Sequence, residues 1–233
     1  MSENGQPFRL GDSPNQGQAS QATCLIHLAW QRSGTDLDIN DPNFRCVTEL
    51  LNFCNRNRIR FIFISSYSVL FSSQTIYARS KLRTETHVNQ NGGFVIRPAL
   101  VISYPPKSSL GKLVKVAEII RVLPDRRNNP VFIHTVMLQQ FVQCCINHAI
   151  SIDTPNLVHN CSERQPVSLL SVVLGHTKKR ITVLKLPDFV FRSTLKVMKC
   201  LPYTKSVGDS FDGLYGSTTL SSDFVGDHDS SRR

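Results

Sequence analysis

The sequence from Arg60 to Glu85 reads RFIFISSYSVLFSSQTIYARSKLRTE, in which an apolar run ends in a pair of serines. The segment Arg60–Ser66 is rich in aromatic and β-branched residues, which is typical of a strand buried on both faces. A helical pattern follows over Ile76–Asn89 and carries Tyr77 and Lys81. The stretch is therefore either a catalytic Ser/Tyr/Lys set or a polar strand end followed by an ordinary helix.

Strands and helices alternate on both sides of this stretch. TCLIHLAW, over Thr23–Trp30, predicts a buried parallel strand, and apolar residues at helical spacing predict a helix over Asp41–Arg58. GGFVIRPALVIS, over Gly92–Ser103, predicts the next strand. Because such alternation favours a parallel sheet with crossover helices, the sequence predicts an α/β fold with a Rossmann-like, doubly wound parallel sheet.

The pattern is looser after Pro105 and Pro106. Predicted helices cover Leu110–Leu123, Val136–Ile150, Ser168–Gly175 and Phe189–Met198, and predicted strands cover Val131–Ile133, Asn156–Asn160 and Val183–Leu186. We expect four segments: a polar N-terminal segment over 1–22, a Rossmann-like core over 23–103, a smaller substrate-side lobe with the remaining elements over 104–205, and a flexible acidic tail over 206–233.

The charge and composition indicate the class of partner. The formal net charge is +10, although the tail contains more acidic than basic residues. A basic body suits nucleic acid, a membrane surface or a phosphorylated small molecule, but no basic run is interleaved with aromatics, which disfavours nucleic acid. With seven cysteines, no Cys-x-x-Cys pair and no long apolar run, we expect a cytoplasmic protein with reduced thiols and no membrane partner.

The sequence indicates no metal site. No spacing of His, Cys and Asp is typical of metal ligands, and the adjacent Cys144 and Cys145 are predicted to be core residues. Four histidines lack a paired acid and are predicted to be structural or on the surface: His134, His148, His159 and His176.

The residue types between Ser65 and Lys81 fit chemistry at a C–OH group. In open parallel sheets ligands bind at the carboxyl ends of strands, which is where Ser65 and Ser66 lie. Tyr77 and Lys81 are four apart and share one face of a helix. An ammonium beside a phenol lowers the pKa of the phenol, so such a tyrosine acts as a base on an alcohol or as an acid on a carbonyl. Taken singly, each piece is a weak signal.

The order of these pieces resembles the extended short-chain dehydrogenase/reductases, the NAD-dependent epimerase/dehydratase family that acts on nucleotide sugars. YARSK is similar to the catalytic Tyr-x-x-x-Lys, FIFISSYSV to the serine strand, LIHLAW to the fourth strand along the dinucleotide, and FVIRPALVIS to the strand whose Arg-Pro pair precedes backbone at the nicotinamide. The resemblance extends from about Phe8 to about Pro187 and is specific over Leu25–Ser103.

The resemblance implies a set of roles. Tyr77 would exchange a proton at the sugar hydroxyl, Lys81 would lower the pKa of Tyr77 and bind the nicotinamide ribose, Ser66 would bind the substrate oxygen, and Asn43 would support the proton relay. It implies NAD or NADP, a nucleotide-sugar substrate in surface polysaccharide synthesis, and a homodimer. The implied cofactor-binding residues are Asp12, His27, Leu28, Ala29, Ser65, Lys81, Arg97, Pro98 and Ala99.

The sequence also departs from the family pattern. No Gly-x-x-Gly-x-x-Gly turn, which holds the pyrophosphate at a helix N-terminus, is present, and Val69-Leu70-Phe71 replaces the usual Val-Tyr-Gly. Three interpretations remain: an N-terminally truncated active member, a degenerate relative that binds without turnover, or a fold completed by another polypeptide. The sequence does not choose among epimerisation, dehydration and reduction.

Overall fold

The computed structural model describes residues 22–31, 41–70, 75–127, 130–151, 157–191 and 193. The predicted N-terminal segment apart from its last residue, Asp12 within it, and the predicted acidic tail lie outside the described residues. Two compact units are present: one holds the described residues up to Ala99 together with Gln139–Cys161, and the other holds Leu100–Leu138 together with the described residues from Ser162 onward.

Ten strands and five helices account for most of the described residues. The strands are β1 (Cys24–His27), β2 (Arg60–Ile64), β3 (Phe94–Pro98), β4 (Leu100–Ile102), β5 (Val122–Arg126), β6 (Phe132–Ile133), β7 (Thr135–Met137), β8 (Val158–Cys161), β9 (Val167–Ser168) and β10 (Thr182–Leu186). The helices are α1 (Pro42–Asn57), α2 (Ile76–Gln90), α3 (Ser108–Ile120), α4 (Leu138–Ile150) and α5 (Leu169–His176), and a 3₁₀ turn covers Tyr67–Leu70.

The first unit is built on a parallel sheet with strand order β1-β2-β3-β8. The helix α1 connects β1 to β2, and α2 connects β2 to β3. Val47 and Leu51 of α1 pack with Phe63 and Val95 of the sheet, all with no exposed surface. The predicted α/β class with a Rossmann-like parallel sheet is therefore confirmed.

Local signals fix the ends of the helices that flank the site. The Asp41 side chain accepts a hydrogen bond from the Asn43 N–H at the start of α1, and proline follows it at the first helical position. Thr75 caps α2 in the same way by accepting from the Ala78 N–H. The caps place Asn43 and Tyr77 in the first turns of their helices.

The predicted strand over Gly92–Ser103 is wrong in one respect, because it forms two strands in different sheets. Pro98 has no N–H to continue the ladder. After it, Ala99 N donates to Cys161 O of the first unit, and Leu100 N donates to His134 O of the second. The chain therefore passes from one unit to the other between Ala99 and Leu100.

Two predicted helices also have wrong ends. The helix predicted over Leu110–Leu123 ends at Ile120, because Arg121 adopts a left-handed conformation (φ 62°) and β5 begins directly after it. The helix predicted from Val136 begins only at Leu138, because Thr135–Met137 pairs with β4 as a strand.

The described residues of the second unit form three strand pairs. The strand β4 runs parallel to β7, β5 runs parallel to β10, and β6 runs antiparallel to β9. Leu110 and Ala117 of α3 pack in its core against Leu169 and Val173 of α5. Within the part of the chain that the structure describes, no helix has both the length and the apolar character needed to cross a membrane.

Gly93 provides a test of the packing beneath β3. A Cβ at this position would lie 2.5 Å from Val88 Cγ1 and 3.2 Å from Leu51 Cδ1. We expect Gly93→Ala to lower the free energy of unfolding by about 1–3 kcal/mol in urea, because overpacking a dense core forces its neighbours to move. The control is Gly175→Ala in α5, where nothing lies within 4 Å; we expect it to be neutral or stabilising by up to about 1 kcal/mol. Equal stability of the two variants would contradict the packing.

Candidate functional site

The carboxyl ends of β1 and β2 form the edge of the sheet where the predicted site residues meet. The two strands are parallel, and His27 pairs with Phe63 in register. Ser65 continues from β2 and stays on the sheet, because its N–H donates to Ile96 O over 2.8 Å. This edge is where ligands bind in open parallel sheets.

Lys81 is buried at this edge, although lysine is rarely found inside a protein. Only 2% of its surface is exposed, and its Nζ donates to Ile64 O over 2.8 Å. Burial lowers the pKa of Lys81 from 10.5 to about 7, and the negative charge of Glu85, one helical turn further on, opposes the fall. The ammonium and the neutral amine are therefore both populated near neutral pH.

Trp30 is a site residue that sequence reasoning missed. The Lys81 Nζ lies 3.8 Å from the centroid of the Trp30 ring and 4.5 Å from that of Phe63, and these ring faces partly replace the lost water. Trp30 also packs edge-on to Tyr77, with 6.4 Å between centroids. It is the single tryptophan of the chain. Its place directly after the LIHLA strand was the one available signal.

Tyr77 packs against this cluster, and Ser66 follows β2 at the same end of the sheet. Tyr77 is in the first turn of α2 and is 37% exposed, so part of the residue is open to solvent. The Ser66 Oγ accepts from the Ser68 N–H over 3.2 Å and lies 2.9 Å from the Ser68 Oγ. The Trp30 ring thus brings Tyr77 and Lys81 together, while the contacts described for Ser66 are local.

His27 is a neutral side chain in this site. It is 6% exposed, and burial together with the Lys81 charge lowers its pKa to about 4, against a smaller opposing effect of a hydrogen bond with the Ala29 backbone. Its ring stacks with Phe61 and Phe63. Among the described residues, neither His27 Nε2 nor the buried Ser65 Oγ has a hydrogen-bond partner.

The Asn43 side chain links the residue after Trp30 to Asp41, the cap of α1. Its amide donates to Gln31 O over 3.0 Å and accepts from the Gln31 N–H over 2.7 Å, which fixes the residue after Trp30. It also donates to Asp41 Oδ1, while Asp41 Oδ2 accepts from Ser80 Oγ over 2.8 Å. Asp41 and Ser80 were not predicted as site residues, although Asp41 stands where a helix cap is expected.

Arg97 and Ala99 have structural contacts, whereas Leu28 is exposed. The Arg97 guanidinium makes a bidentate ion pair with the buried Glu85, with 2.6 Å between Nη2 and Oε2. Ala99, after Pro98, donates its N–H to Cys161 O. Leu28 is 61% exposed at the end of β1. Their predicted contacts with a cofactor stay predictions.

The sequence matches no protein-family model and no curated protein. The fold is similar to that of solved enzymes. For an NAD-dependent NDP-hexosamine 5,6-dehydratase, TunA, the TM-score is 0.57 at 17% identity over 73% of this chain and 66% of that chain. For a dTDP-glucose 4,6-dehydratase from Bacillus anthracis in complex with NAD, it is 0.54 at 16% identity over 71% and 61%. For a UDP-N-acetylglucosamine 4-epimerase from Bacillus cereus, it is 0.56 at 15% identity over 74% and 69%.

These similarities establish the fold. The fold is Rossmann-like, and its structural neighbours include two dehydratases whose names refer to NAD and a nucleotide-sugar epimerase. The matched part of this chain spans 61–69% of the length of those three proteins.

The lowered pKa of Lys81 predicts how stability depends on pH. The unfolded chain keeps the Lys81 proton up to 10.5, whereas the folded chain loses it at about 7. Between these values the unfolded state binds one more proton, so stability rises with pH. Relative to Lys81→Met, we expect the wild-type free energy of unfolding to rise by about 2–3 kcal/mol from about pH 6 to about pH 9.

Urea unfolding of both proteins across this pH range measures the difference. Lys115→Met, which removes an exposed lysine of α3, is the matched control. A free energy of unfolding that changes equally with pH in wild type and Lys81→Met would contradict the buried, weakly basic lysine.

Proposed function

We propose that this chain binds NAD or NADP at the carboxyl ends of β1 and β2 and acts as an epimerase/dehydratase-type oxidoreductase on a nucleotide sugar. One observation carries the proposal: Lys81 is buried at the ligand-binding edge of a Rossmann-like sheet and shares the Trp30 ring with a partly exposed Tyr77. Burying a lysine without a full ion pair is costly, and such groups concentrate at functional sites.

The donor set at this edge suits the nicotinamide half of a dinucleotide. As an ammonium, Lys81 has three N–H donors and uses one on Ile64 O, so the others are shared between the Trp30 ring face and ribose hydroxyls. His27 Nε2 and Ser65 Oγ, buried and without partners among the described residues, are suited to polar groups of a ligand. When bound, the dinucleotide supplies the hydride acceptor.

Tyr77 is the residue we assign to proton transfer. The residue is partly exposed, and its phenol would take or return the proton of the sugar hydroxyl, with Ser66 Oγ binding the same oxygen. Lys81 favours the phenolate only while it is an ammonium. Because its pKa is about 7, this assistance decreases as the pH rises above neutral.

The substrate class rests on the neighbours and on charge. The names of the neighbouring proteins refer to dTDP-glucose and UDP-N-acetylglucosamine, which are diphosphate-linked sugars. This chain carries a formal net charge of +10, which favours the approach of such anions.

A second candidate function is a binding protein without turnover. The Lys81 ammonium already donates a hydrogen bond to the Ile64 carbonyl and contacts the face of the Trp30 ring. In addition, the sequence contains no Gly-x-x-Gly-x-x-Gly turn. In this alternative the Ser/Tyr/Lys set would hold a ligand without transferring a proton.

Substitution of Tyr77 separates the two candidates. We expect wild type with NAD to convert a nucleotide sugar such as UDP-N-acetylglucosamine or dTDP-glucose, with product detected by NMR and mass spectrometry. We expect Tyr77→Phe to lower turnover by about 10²–10⁴-fold while cofactor affinity is kept, because only the proton-transfer group is lost.

Tyr104→Phe is the control, because Tyr104 is a strongly exposed tyrosine outside the cluster. Turnover that survives Tyr77→Phe would contradict the assigned mechanism. Cofactor binding without turnover by wild type on any nucleotide sugar would establish the second candidate.

A further inference from the structure

A second group of reactive side chains lies in the first unit, where α4 faces β8. Cys144 and His148 belong to α4, and His159 belongs to β8. Their ligand atoms all lie within 4.8 Å of one another. The two imidazole rings are tilted against each other, with 4.6 Å between centroids.

The spacing within each element explains why these side chains converge. Cys144 and His148 are four apart and share one face of the helix α4. His159 and Cys161 are two apart and point to the same side of the strand β8. The Cys161 sulfur adjoins the Cys144 sulfur, so a second thiol lies beside the group.

The His148 ring has a nitrogen that is available to bind a metal ion. Its Nδ1 is buried without a hydrogen-bond partner among the described residues. The Arg60 guanidinium donates to His148 O over 2.6 Å and to Ser151 O, which fixes the end of α4 where the histidine lies.

We propose that Cys144, His148 and His159 bind a zinc ion, with Cys161 as the fourth ligand. Two sulfurs and two imidazole nitrogens form the tetrahedral set that selects zinc. Zinc–sulfur and zinc–nitrogen bonds of about 2.3 and 2.0 Å place ligand atoms about 3.3–3.8 Å apart, so Cys144, His148 and His159 close by about 1 Å around the ion. Cys161 adjoins Cys144 outside this group of three and moves further to become the fourth ligand. No ligand position is left for a substrate, so the ion is structural.

Zinc binding changes the protonation of the site. The two thiols become thiolates, and their two protons pass to solvent as the zinc–sulfur bonds form. The two negative charges neutralise the two positive charges of the ion. The ion then cross-links α4 to β8, which are separated in sequence by residues 151–157.

Zinc titration of the reduced full chain, carrying no histidine tag, tests the site. We expect one zinc per chain in competition with a chromophoric chelator. Cobalt should give the intense visible bands of a tetrahedral site and thiolate-to-metal absorption in the near ultraviolet. His159→Ala and Cys144→Ser should each weaken zinc binding by more than about 100-fold, because substitutions in the outer shell alone cost about 10–100-fold. Cys161→Ser should weaken it and reduce the thiolate absorption.

Matched controls exclude binding by unrelated thiols and histidines. His176→Ala and Cys46→Ser remove the same residue types away from the cluster, and we expect both to bind zinc as wild type does. His159 is exposed, so its variant should keep the wild-type circular dichroism. Zinc affinity unchanged in His159→Ala and Cys144→Ser, or lowered equally in the controls, would overturn the proposal.

Discussion

The burial of one ammonium group organises the candidate site. The Lys81 ammonium is buried. It donates a hydrogen bond to the Ile64 carbonyl at the end of β2 and lies over the Trp30 ring beyond the end of β1. Its neighbours in α2 are held from elsewhere: Ser80 by Asp41, and Glu85 by Arg97 of β3. Residues at the ends of two strands therefore contact Lys81 directly, while Asp41 and Arg97 hold its neighbours in α2. Burial of the ammonium lowers its pKa to about 7, which makes stability depend on pH.

The sequence predicted the parts of the fold that depend on local pattern. The apolar runs of β1, β2 and β3 and the apolar periodicity of α1 and α2 suffice for the parallel α/β class. The break after Pro98 was missed because two runs of similar composition adjoin, and only the distant partners Cys161 and His134 separate them. Likewise, Val136 and Met137 directly precede the apolar periodicity of α4, and they form a strand because they pair with β4.

The site was predicted as residue types and not as contacts. Tyr77 and Lys81 were found by their spacing, whereas Trp30 was missed because its contact with Lys81 joins residues 51 positions apart. Arg97 was predicted from the resemblance, and its ion pair with Glu85 needs the docking of α2 on β3. The Cys144, His148 and His159 group was missed for the same reason, because its spacings become meaningful only when α4 faces β8. In the sheet, Cys161 pairs with Pro98, so the proposed zinc site would support the strand beside the candidate cofactor site.

Fluorescence of Trp30 tests the cofactor site most directly, because it is the single tryptophan of the chain and its ring lies over Lys81. Titration with NADH should quench Trp30 emission in a saturable way in wild type. A parallel titration of free tryptophan corrects for the light that NADH absorbs. The quenching should be absent in Lys81→Met at the same concentrations. Emission that stays unchanged at saturating NADH, or that falls equally in Lys81→Met, would contradict a dinucleotide site at the ends of β1 and β2.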